Sequence, residues 1–266
     1  MRVAAVGDLH VVPGSAHRLR PLYQRAAMVA DLLLLAGDLT NAGDLESAAE
    51  LCSVVTGLDL PVVAVLGNHD HDAGAGGQVA AMLGDAGAIV LEGTAATIET
   101  SSGAVGVAGV TGFSDGQDAG RAATDGTAAH RLRDALASLD TDVRIALTHY
   151  APVMETLTGE APEIHRFLGS LLLGAAIDGS RAGTAPPAPA AAPAVDAAAD
   201  PGPLDAGDLI GMAAAEPTTT LAVHGHAHHG QEMGWTPGGT PVRNVARPVI
   251  VAPFAVYRLP DGARIG

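Results

Sequence analysis

Short apolar runs alternate with amphipathic segments along the first two thirds of the chain. The apolar runs have the length and composition of buried strands, which predicts strands at residues 2–6, 31–36, 61–66, 104–108 and 143–148. Apolar residues spaced three or four positions apart predict helices at residues 19–29, 44–56, 78–86, 125–139 and 164–177. Apolar strands separated by helices are typical of α/β proteins, in which helices cover the sheets.

The last part of the chain has a different pattern, with short strands separated by glycine turns. It predicts strands at residues 219–224, 231–235, 241–245 and 254–259. Before them, 15 of the 21 residues from Gly183 to Pro203 are alanine or proline. Such a composition buries too little apolar surface to offset the entropy of ordering it. We therefore predict one domain over residues 1–266, interrupted by a disordered excursion at about residues 183–217.

The overall composition agrees with a single folded unit. The chain has 266 residues, of which 48% are hydrophobic, and this is enough for one substantial core. The single cysteine, Cys52, lies in an apolar helical pattern, so an internal disulfide is excluded. The first residues lack a secretory signal pattern, and the longest apolar runs are too short to span a bilayer. These features predict a cytoplasmic protein without a membrane anchor.

The charge balance narrows the possible partners. The formal net charge is −15, and all 14 basic residues are arginines. Without lysine, the chain cannot use a lysine Schiff base or a lysine phosphate anchor. An acidic surface repels polyanions, which disfavours nucleic acid as a partner. The oligomeric state stays open.

Side chains with oxygen or imidazole donors follow five of the predicted strands directly. In chain order they are Asp8 and His10, Asp38, Asn68 with His69 and Asp70, His149, and the cluster from His224 to His229. In open α/β sheets, ligands collect beyond the carboxyl ends of the strands, so these five loops should converge on one crevice. Each signal is weak alone, because an aspartate after a glycine is often part of a turn or a helix cap.

Together, these donors indicate a metal site. The five strand ends offer carboxylate, amide and imidazole groups and no thiolate. This is the ligand set of a pair of borderline-hard ions such as Mn, Fe or Zn. Alternate residues of an extended segment share a face, so His226 and His228 can point together while Ala227 points away.

The five blocks of residues resemble the calcineurin-like metallophosphoesterase superfamily. In order they are Asp-x-His, Gly-Asp, Gly-Asn-His-Asp, a histidine at a strand end, and Gly-His-x-His, and they span residues 8–228. The sequences THYAPV and HGHAHHG are similar to bacterial stand-alone members grouped with the class III cyclic nucleotide phosphodiesterases. The resemblance implies an α/β fold, a four-layer α/β/β/α sandwich of two mixed β-sheets flanked by helices.

The resemblance also implies roles for individual residues. The implied metal ligands form two sets that share a bridging Asp38: Asp8, His10 and His228 for one ion, and Asn68, His149 and His226 for the other. Two adjacent cations lower the pKa of a shared water, so a metal-bridging hydroxide could attack phosphorus in line without a base from the protein. His69 would protonate the leaving group, and Asp70 would hydrogen-bond to His69 and orient it.

Candidate contacts with the substrate are His71, Phe113, Arg121, Tyr150 and His224. Phe113 and Arg121 lie in a glycine- and aspartate-rich segment, where a ring could stack on a base and a guanidinium could meet a phosphate. His71 and Tyr150 lie beside predicted ligands, and His224 precedes a turn that favours a place behind the ligands or in the pocket wall. Each of the five residues also has an ordinary explanation as a packing or solvated residue.

The sequence therefore favours a dinuclear metal-dependent phosphoric ester hydrolase that acts on a small phosphoester, with a phosphodiester preferred over a monoester. The alternatives are a non-catalytic metal-binding scaffold of the same fold, an interaction protein that uses the alanine- and proline-rich stretch, and a nuclease. A scaffold is disfavoured because no block of the pattern lacks a ligand. A nuclease is disfavoured by the acidic balance and by the absence of Lys or Arg between Arg181 and Arg243.

Overall fold

Two mixed β-sheets of six strands each form the centre of the computed structural model, which describes residues 1–112, 122–179 and 219–266. The strands in chain order are β1 (Arg2–Val6), β2 (Leu32–Ala36), β3 (Val62–Val65), β4 (Ala88–Val90), β5 (Thr94–Thr100), β6 (Gly103–Val110), β7 (Arg144–Thr148), β8 (Leu221–His224), β9 (Met233–Trp235), β10 (Pro241–Asn244), β11 (Ala255–Arg258) and β12 (Ala263–Arg264). The first sheet has the order β12-β11-β1-β2-β3-β4 and the second β5-β6-β7-β8-β10-β9. The excursion predicted at residues 183–217 lies outside the described residues.

Each sheet has a parallel centre; the first has one antiparallel edge and the second has two. Strands β1 to β4 pair in parallel, and β11 and β12 form an antiparallel edge beside β1. In the second sheet β6, β7, β8 and β10 are parallel, with β5 and β9 as antiparallel edges. A bridge between Gly7, after β1, and Ala246, after β10, joins the carboxyl ends of the two parallel centres. The loops with the candidate ligands therefore start from the same side of the molecule.

Helices cover the outer faces of both sheets. They are α1 (Ala16–Val29), α2 (Leu45–Val55), α3 (Gly76–Asp85), α4 (Ala122–Ala137), α5 (His165–Leu168), α6 (Leu171–Asp178) and α7 (Arg247–Ile250), with 3-10 turns at His69–His71, Glu155–Leu157 and Pro162–Ile164. Helices α1 to α3 pack on the first sheet and α4 and α6 on the second, while β2 and β3 contact β6 and β7. This order of layers confirms the predicted four-layer sandwich. Within the described ranges, no helix has the length and apolar character of a membrane span.

The main hydrophobic core lies between the sheets and under the first helix layer. Leu32 to Leu35 of β2 are at most 1% exposed, because this strand is covered on both faces. A strand covered on both faces needs apolar residues at every position, and the sequence of β2 is accordingly a continuous apolar run. Burial of one leucine side chain contributes roughly 1.5–3 kcal/mol, so β2 anchors the centre of its sheet. A second cluster, which includes Leu132, Leu136 and Ile177, joins α4 and α6 to the second sheet.

One predicted helix is divided. Residues 164–177 contain the end of a 3-10 turn, α5 and most of α6, with a break at Gly169 and Ser170. Gly169 is extended and pairs with Ala151, whose carbonyl would collide with a Cβ at position 169. Ser170 then caps α6 by accepting a hydrogen bond from the Leu172 N–H. The prediction of one continuous helix is therefore wrong, because the tertiary pairing of Gly169 overrides the apolar periodicity.

Four elements are not predicted by the hydrophobic pattern: β4, β5, β12 and α7. Strand β5 is an edge strand in which Ile98 is the one buried residue, so it lacks a clear alternation. The other three contain two to four residues each, too few for a periodic signal.

Candidate metal centre

The backbone is strained at four of the candidate ligands. Asp8, His10, Asp38 and His226 have φ angles of 59°, 44°, 48° and 69°. Among the described residues, Val251 is the one other non-glycine residue with a positive φ. Such conformations cost on the order of 1–3 kcal/mol each and persist where the surrounding structure enforces them, often at functional sites. The strain indicates that these loops are held so that their side chains meet.

Two glycines make room for the side chains beside them. Gly37 has a φ of 82°, and a Cβ at this position would enter the ring of His149. A Cβ at Gly67 would collide with the backbone nitrogen and the carboxylate of Asp38. The glycines of the Gly-Asp and Gly-Asn-His-Asp blocks are therefore required by close packing around the candidate ligands.

Asp8, His10 and His228 form one group of donors, which we name the outer group. Their ligand atoms lie within 4.8 Å of one another. The His228 Nε2 lies 2.9 Å from Asp8 Oδ1, and the backbone N–H of His226 donates to both Asp8 carboxylate oxygens at 3.1 and 2.9 Å. The Nε2 atom of His10 is buried and has no hydrogen-bond partner among the described residues. Such an atom is costly to bury unless a ligand satisfies it.

Asp38, Asn68, His149 and His226 form a second group, which we name the inner group. The ligand atoms of Asp38, His149 and His226 lie within 4.8 Å of one another. His149 donates from Nδ1 to the Ala36 carbonyl at 2.9 Å, and its Nε2 faces Asn68 Oδ1 at 3.0 Å and Asp38 Oδ1 at 3.3 Å. The centroids of the His149 and His226 rings are 4.7 Å apart.

The carboxylate of Asp38 lies between the two groups. Its Oδ1 atom faces His149 and accepts the backbone N–H of His69 at 2.9 Å. Its Oδ2 atom lies 3.9 Å from the Nε2 of His10, a member of the outer group. The two oxygens of Asp38 are therefore turned toward different groups. Through Oδ2, Asp38 of the inner group also faces the buried His10 nitrogen of the outer group.

Burial and charge give the histidines different protonation states. Burial would lower the pKa of His149, but the hydrogen bond and charge of Asp38 outweigh it and raise the pKa to about 9. Burial would raise the pKa of Asp38, but His149 outweighs it and holds that pKa well below its usual range. Burial lowers the pKa of His226 to about 3 and also lowers the pKa of His10. Near neutral pH, His10 and His226 therefore keep lone pairs available for a cation.

The residues of both groups fit a pair of metal ions. Their donors are carboxylate and amide oxygens and imidazole nitrogens, a set suited to Mn, Fe or Zn. The unpartnered Nε2 of His10 faces the Asp38 carboxylate, and a cation between them would satisfy both. The Ala36 carbonyl fixes the ring of His149, as backbone carbonyls commonly do for metal-binding histidines.

His69 lies at the edge of these groups and pairs with Asp72. Its Nδ1 atom is 2.9 Å from Asp72 Oδ2, and its Nε2 atom is 3.9 Å from Asp38 Oδ2. The ligand atoms of His10, Asp38 and His69 form a third close group, within 4.8 Å. The sequence analysis missed Asp72. Its i,i+3 spacing from His69 would have indicated it once a 3-10 turn at His69–His71 was recognised.

The predicted hydrogen bond between Asp70 and His69 is wrong. Asp70 is fully buried, and its carboxylate accepts from the backbone N–H and the hydroxyl of Thr40 and from the N–H groups of Leu39 and Gly67. These four donors occupy both oxygens. Asp70 therefore ties the loop after β2 to the loop after β3, which positions the candidate ligands, while Asp72 contacts the His69 ring.

Tyr150 and His224, two of the proposed substrate contacts, lie inside the protein. The Tyr150 ring is buried, with centroids 5.4 Å from the ring of His149 and 4.5 Å from that of His226. His224 is fully buried, and its Nδ1 and Nε2 atoms lie 2.7 Å from the Gly225 carbonyl and 2.9 Å from a threonine hydroxyl. Burial lowers the pKa of His224 to about 4. These positions favour support of the ligand loops over contact with a substrate.

The remaining substrate candidates divide into one exposed residue and two that lie outside the described residues. His71 is exposed, and its ring lies so close to Gly76 that a Cβ there would collide with it. Phe113 and Arg121 are outside the described residues, so their roles stay predictions.

A family model described as calcineurin-like phosphoesterase matches residues 1–170 of this chain. That range contains the first four of the five sequence blocks, from Asp8 to His149. Among curated proteins, no sequence matches the chain.

Several solved structures share the fold. One is the phosphopantetheinyl hydrolase from Mycobacterium tuberculosis, with a TM-score of 0.61, 14% identity, and coverage of 92% of this chain and 88% of that chain. A second is TT1561 of Thermus thermophilus, with a TM-score of 0.59, 15% identity, and coverage of 99% and 96%. A third is GAP50, an anchor in the inner membrane complex of Plasmodium, with a TM-score of 0.51, 12% identity, and coverage of 93% and 72%. At these identities the similarity shows the fold alone.

Proposed function

The chain belongs to the calcineurin-like phosphoesterase family, and on that premise we propose that it hydrolyses a small phosphodiester at a centre of two metal ions. The observation that supports this most directly is the position of Asp38. Its two oxygens face two separate donor groups, at 3.3 Å from His149 and 3.9 Å from His10. A carboxylate so placed suits the binding of two cations at once.

The proposed ligands follow from the two groups. The outer group, Asp8, His10 and His228, would hold one ion, Asn68, His149 and His226 would hold the other, and Asp38 would bind both. When bound, such a pair of Mn, Fe or Zn ions activates water and neutralises charge on the phosphoryl oxygens. The protein contributes the orientation: the positive-φ loops aim the ligands, and the Ala36 carbonyl fixes the ring of His149.

His69 is the residue to which we assign protonation of the leaving oxygen. Asp72 holds its Nδ1 atom, so that Nε2 is turned toward the centre, 3.9 Å from Asp38. The side chain is 41% exposed, and it can therefore reach both a substrate and solvent. A role as a metal ligand is the competing assignment, because His69 also lies within the third close group.

The substrate class rests on charge and on the family. A net charge of −15 disfavours a polyanion, which supports a small phosphoester over nucleic acid. The preference for a diester comes from the resemblance of the THYAPV and HGHAHHG sequences.

Metal analysis of purified protein, followed by assays with added Mn, Zn or Fe, tests this proposal. Bis-p-nitrophenyl phosphate and p-nitrophenyl phosphate report diester and monoester hydrolysis. We expect two equivalents of metal and faster hydrolysis of the diester. Asp38→Ala should lose metal and activity together, because it removes the shared carboxylate. The matched control is Asp59→Asn, which should retain both metal and activity. Asp59 is an exposed carboxylate before β3, at the opposite end of that strand from Asn68.

Three outcomes would contradict the proposal. Full activity in Asp38→Ala would exclude the bridging role. Metal binding without turnover of either ester would favour the non-catalytic scaffold. Faster hydrolysis of the monoester would overturn the preference for diesters.

A further inference from the structure

A cavity of about 250 Å³ lies beside His10, on the side of the metal centre formed by the loop after β1. Its lining includes Leu9, Val11 and Leu19, which are buried, and Val12, which is exposed at the rim. Burial of apolar groups on such a floor is favourable because it removes their surface from water. The floor therefore suits the hydrocarbon part of a ligand.

Two arginines, Arg18 of α1 and Arg247 of α7, line the same cavity. Both are exposed, and within the described ranges neither guanidinium makes a hydrogen bond or an ion pair. Some other arginines are paired, as in the contacts of Arg258 with Asp261 and of Arg264 with Glu232. A free guanidinium is a fork of N–H donors that matches a carboxylate or a phosphate.

The surrounding charges leave these arginines available. The carboxylate of Glu50, at the start of α1, accepts from the backbone N–H of Ala16 at 2.8 Å and makes no ion pair with Arg18 or Arg247. Although the chain has a net charge of −15, the two cationic side chains at this cavity would attract an anion.

His10 connects the cavity to the metal centre. It lines the cavity, while its Nε2 atom belongs to the outer group and lies 3.9 Å from Asp38. His10 is therefore shared by the cavity and the candidate metal centre. We propose that this cavity selects substrates whose uncleaved substituent is an apolar chain ending in a second anion, held by Arg18 and Arg247. The inference rests on the proposed phosphoesterase function.

The test compares p-nitrophenyl phosphodiesters that carry a hexyl chain ending in a carboxylate, a phosphate or a neutral methyl ester. We expect the KM for the anionic ends to be about tenfold lower than for the methyl ester. The carboxylate and phosphate arms show which anion the arginines prefer. Arg18→Gln and Arg247→Gln should each reduce the preference, and the double variant should abolish it. Arg25→Gln, on α1 but outside this cavity, removes the same charge and should keep the preference.

A second measurement does not depend on turnover. Calorimetry on the protein as purified would measure binding of a non-hydrolysable hexylphosphonate ending in a carboxylate, against its methyl ester. Equal binding or equal KM values for charged and neutral ends in the wild-type protein would overturn the inference. So would a preference that persists in the double variant.

If the wild type hydrolyses bis-p-nitrophenyl phosphate without any such preference, the inference fails and the phosphoesterase function stands. If the calorimetric preference is present but no ester is cleaved, the cavity binds as proposed and the function fails.

Discussion

The two donor groups differ in their enclosure. The difference lies in the histidines: the His149 side chain of the inner group is completely buried, whereas those of His10 and His228 in the outer group are 25% and 37% exposed. The carboxylates of both groups are buried, and Asn68 and His226 of the inner group are half-buried. The inner group lies where the carboxyl ends of β2, β3 and β7 meet, and one residue of the outer group, His10, also lines the cavity. The packing around a metal site controls solvent access. We therefore expect the inner group to retain its ion more firmly and the outer group to meet the substrate.

The largest effect should come from substitution of one histidine in each group. His149→Ala removes an enclosed residue that we propose as a ligand and that is the main partner of Asp38, so activity should fall by more than about 100-fold and the inner metal should be lost. His228→Ala removes an exposed ligand and should keep about one equivalent of metal with a smaller loss. Metal stoichiometry and kcat on bis-p-nitrophenyl phosphate measure both, with circular dichroism as the check on folding. Equal losses in the two variants would contradict the difference in enclosure.

The next largest effect concerns His69 and its two neighbouring carboxylates. His69→Ala should retain metal and lose about 100-fold in turnover of esters with poor leaving groups, because it removes the proposed proton donor. Asp72→Asn should lose about 10–100-fold, since it only orients the ring. Asp70→Asn should instead lower the free energy of unfolding by about 1–3 kcal/mol, because it disturbs four buried hydrogen bonds. Loss of metal in His69→Ala would show that His69 is a ligand.

The smallest effect is a pH dependence of the metal-free protein. The folded-state pKa of His149, about 9, lies above its ordinary value of 6.5. The bound proton therefore stabilises the folded state fully below pH 6.5, and this contribution is lost as the pH rises toward 9. With metal chelated, the difference in unfolding free energy between wild type and His149→Asn should shrink over this interval. A difference that stays constant from pH 6.5 to 9 would contradict the pairing of His149 with Asp38.

Much of the fold and the placement of the candidate ligands could be predicted from sequence, because both depend on local signals. Continuous apolar runs mark β1 and β2, and the ligands follow them directly, so an error of one residue in a strand end does not move Asp8 or Asp38 away from its loop. These loops all start at the carboxyl ends of parallel strands, where ligands collect in α/β sheets, so their convergence could be expected.

The parts that could not be predicted depend on contacts between distant segments. The break at Gly169 follows from its pairing with Ala151, which no helical periodicity shows. The separate tasks of Asp70 and Asp72 depend on a 3-10 turn that points one carboxylate into the protein and the other toward His69. Short elements such as β12 carry too few residues for any pattern.

Anomalous diffraction from crystals of the protein grown with manganese tests the central claim most directly. We predict two manganese peaks, one at the outer group and one at the inner group, with the Asp38 carboxylate between them. A single peak distant from Asp38, or two peaks that do not contact His10 and His149, would contradict the dinuclear centre.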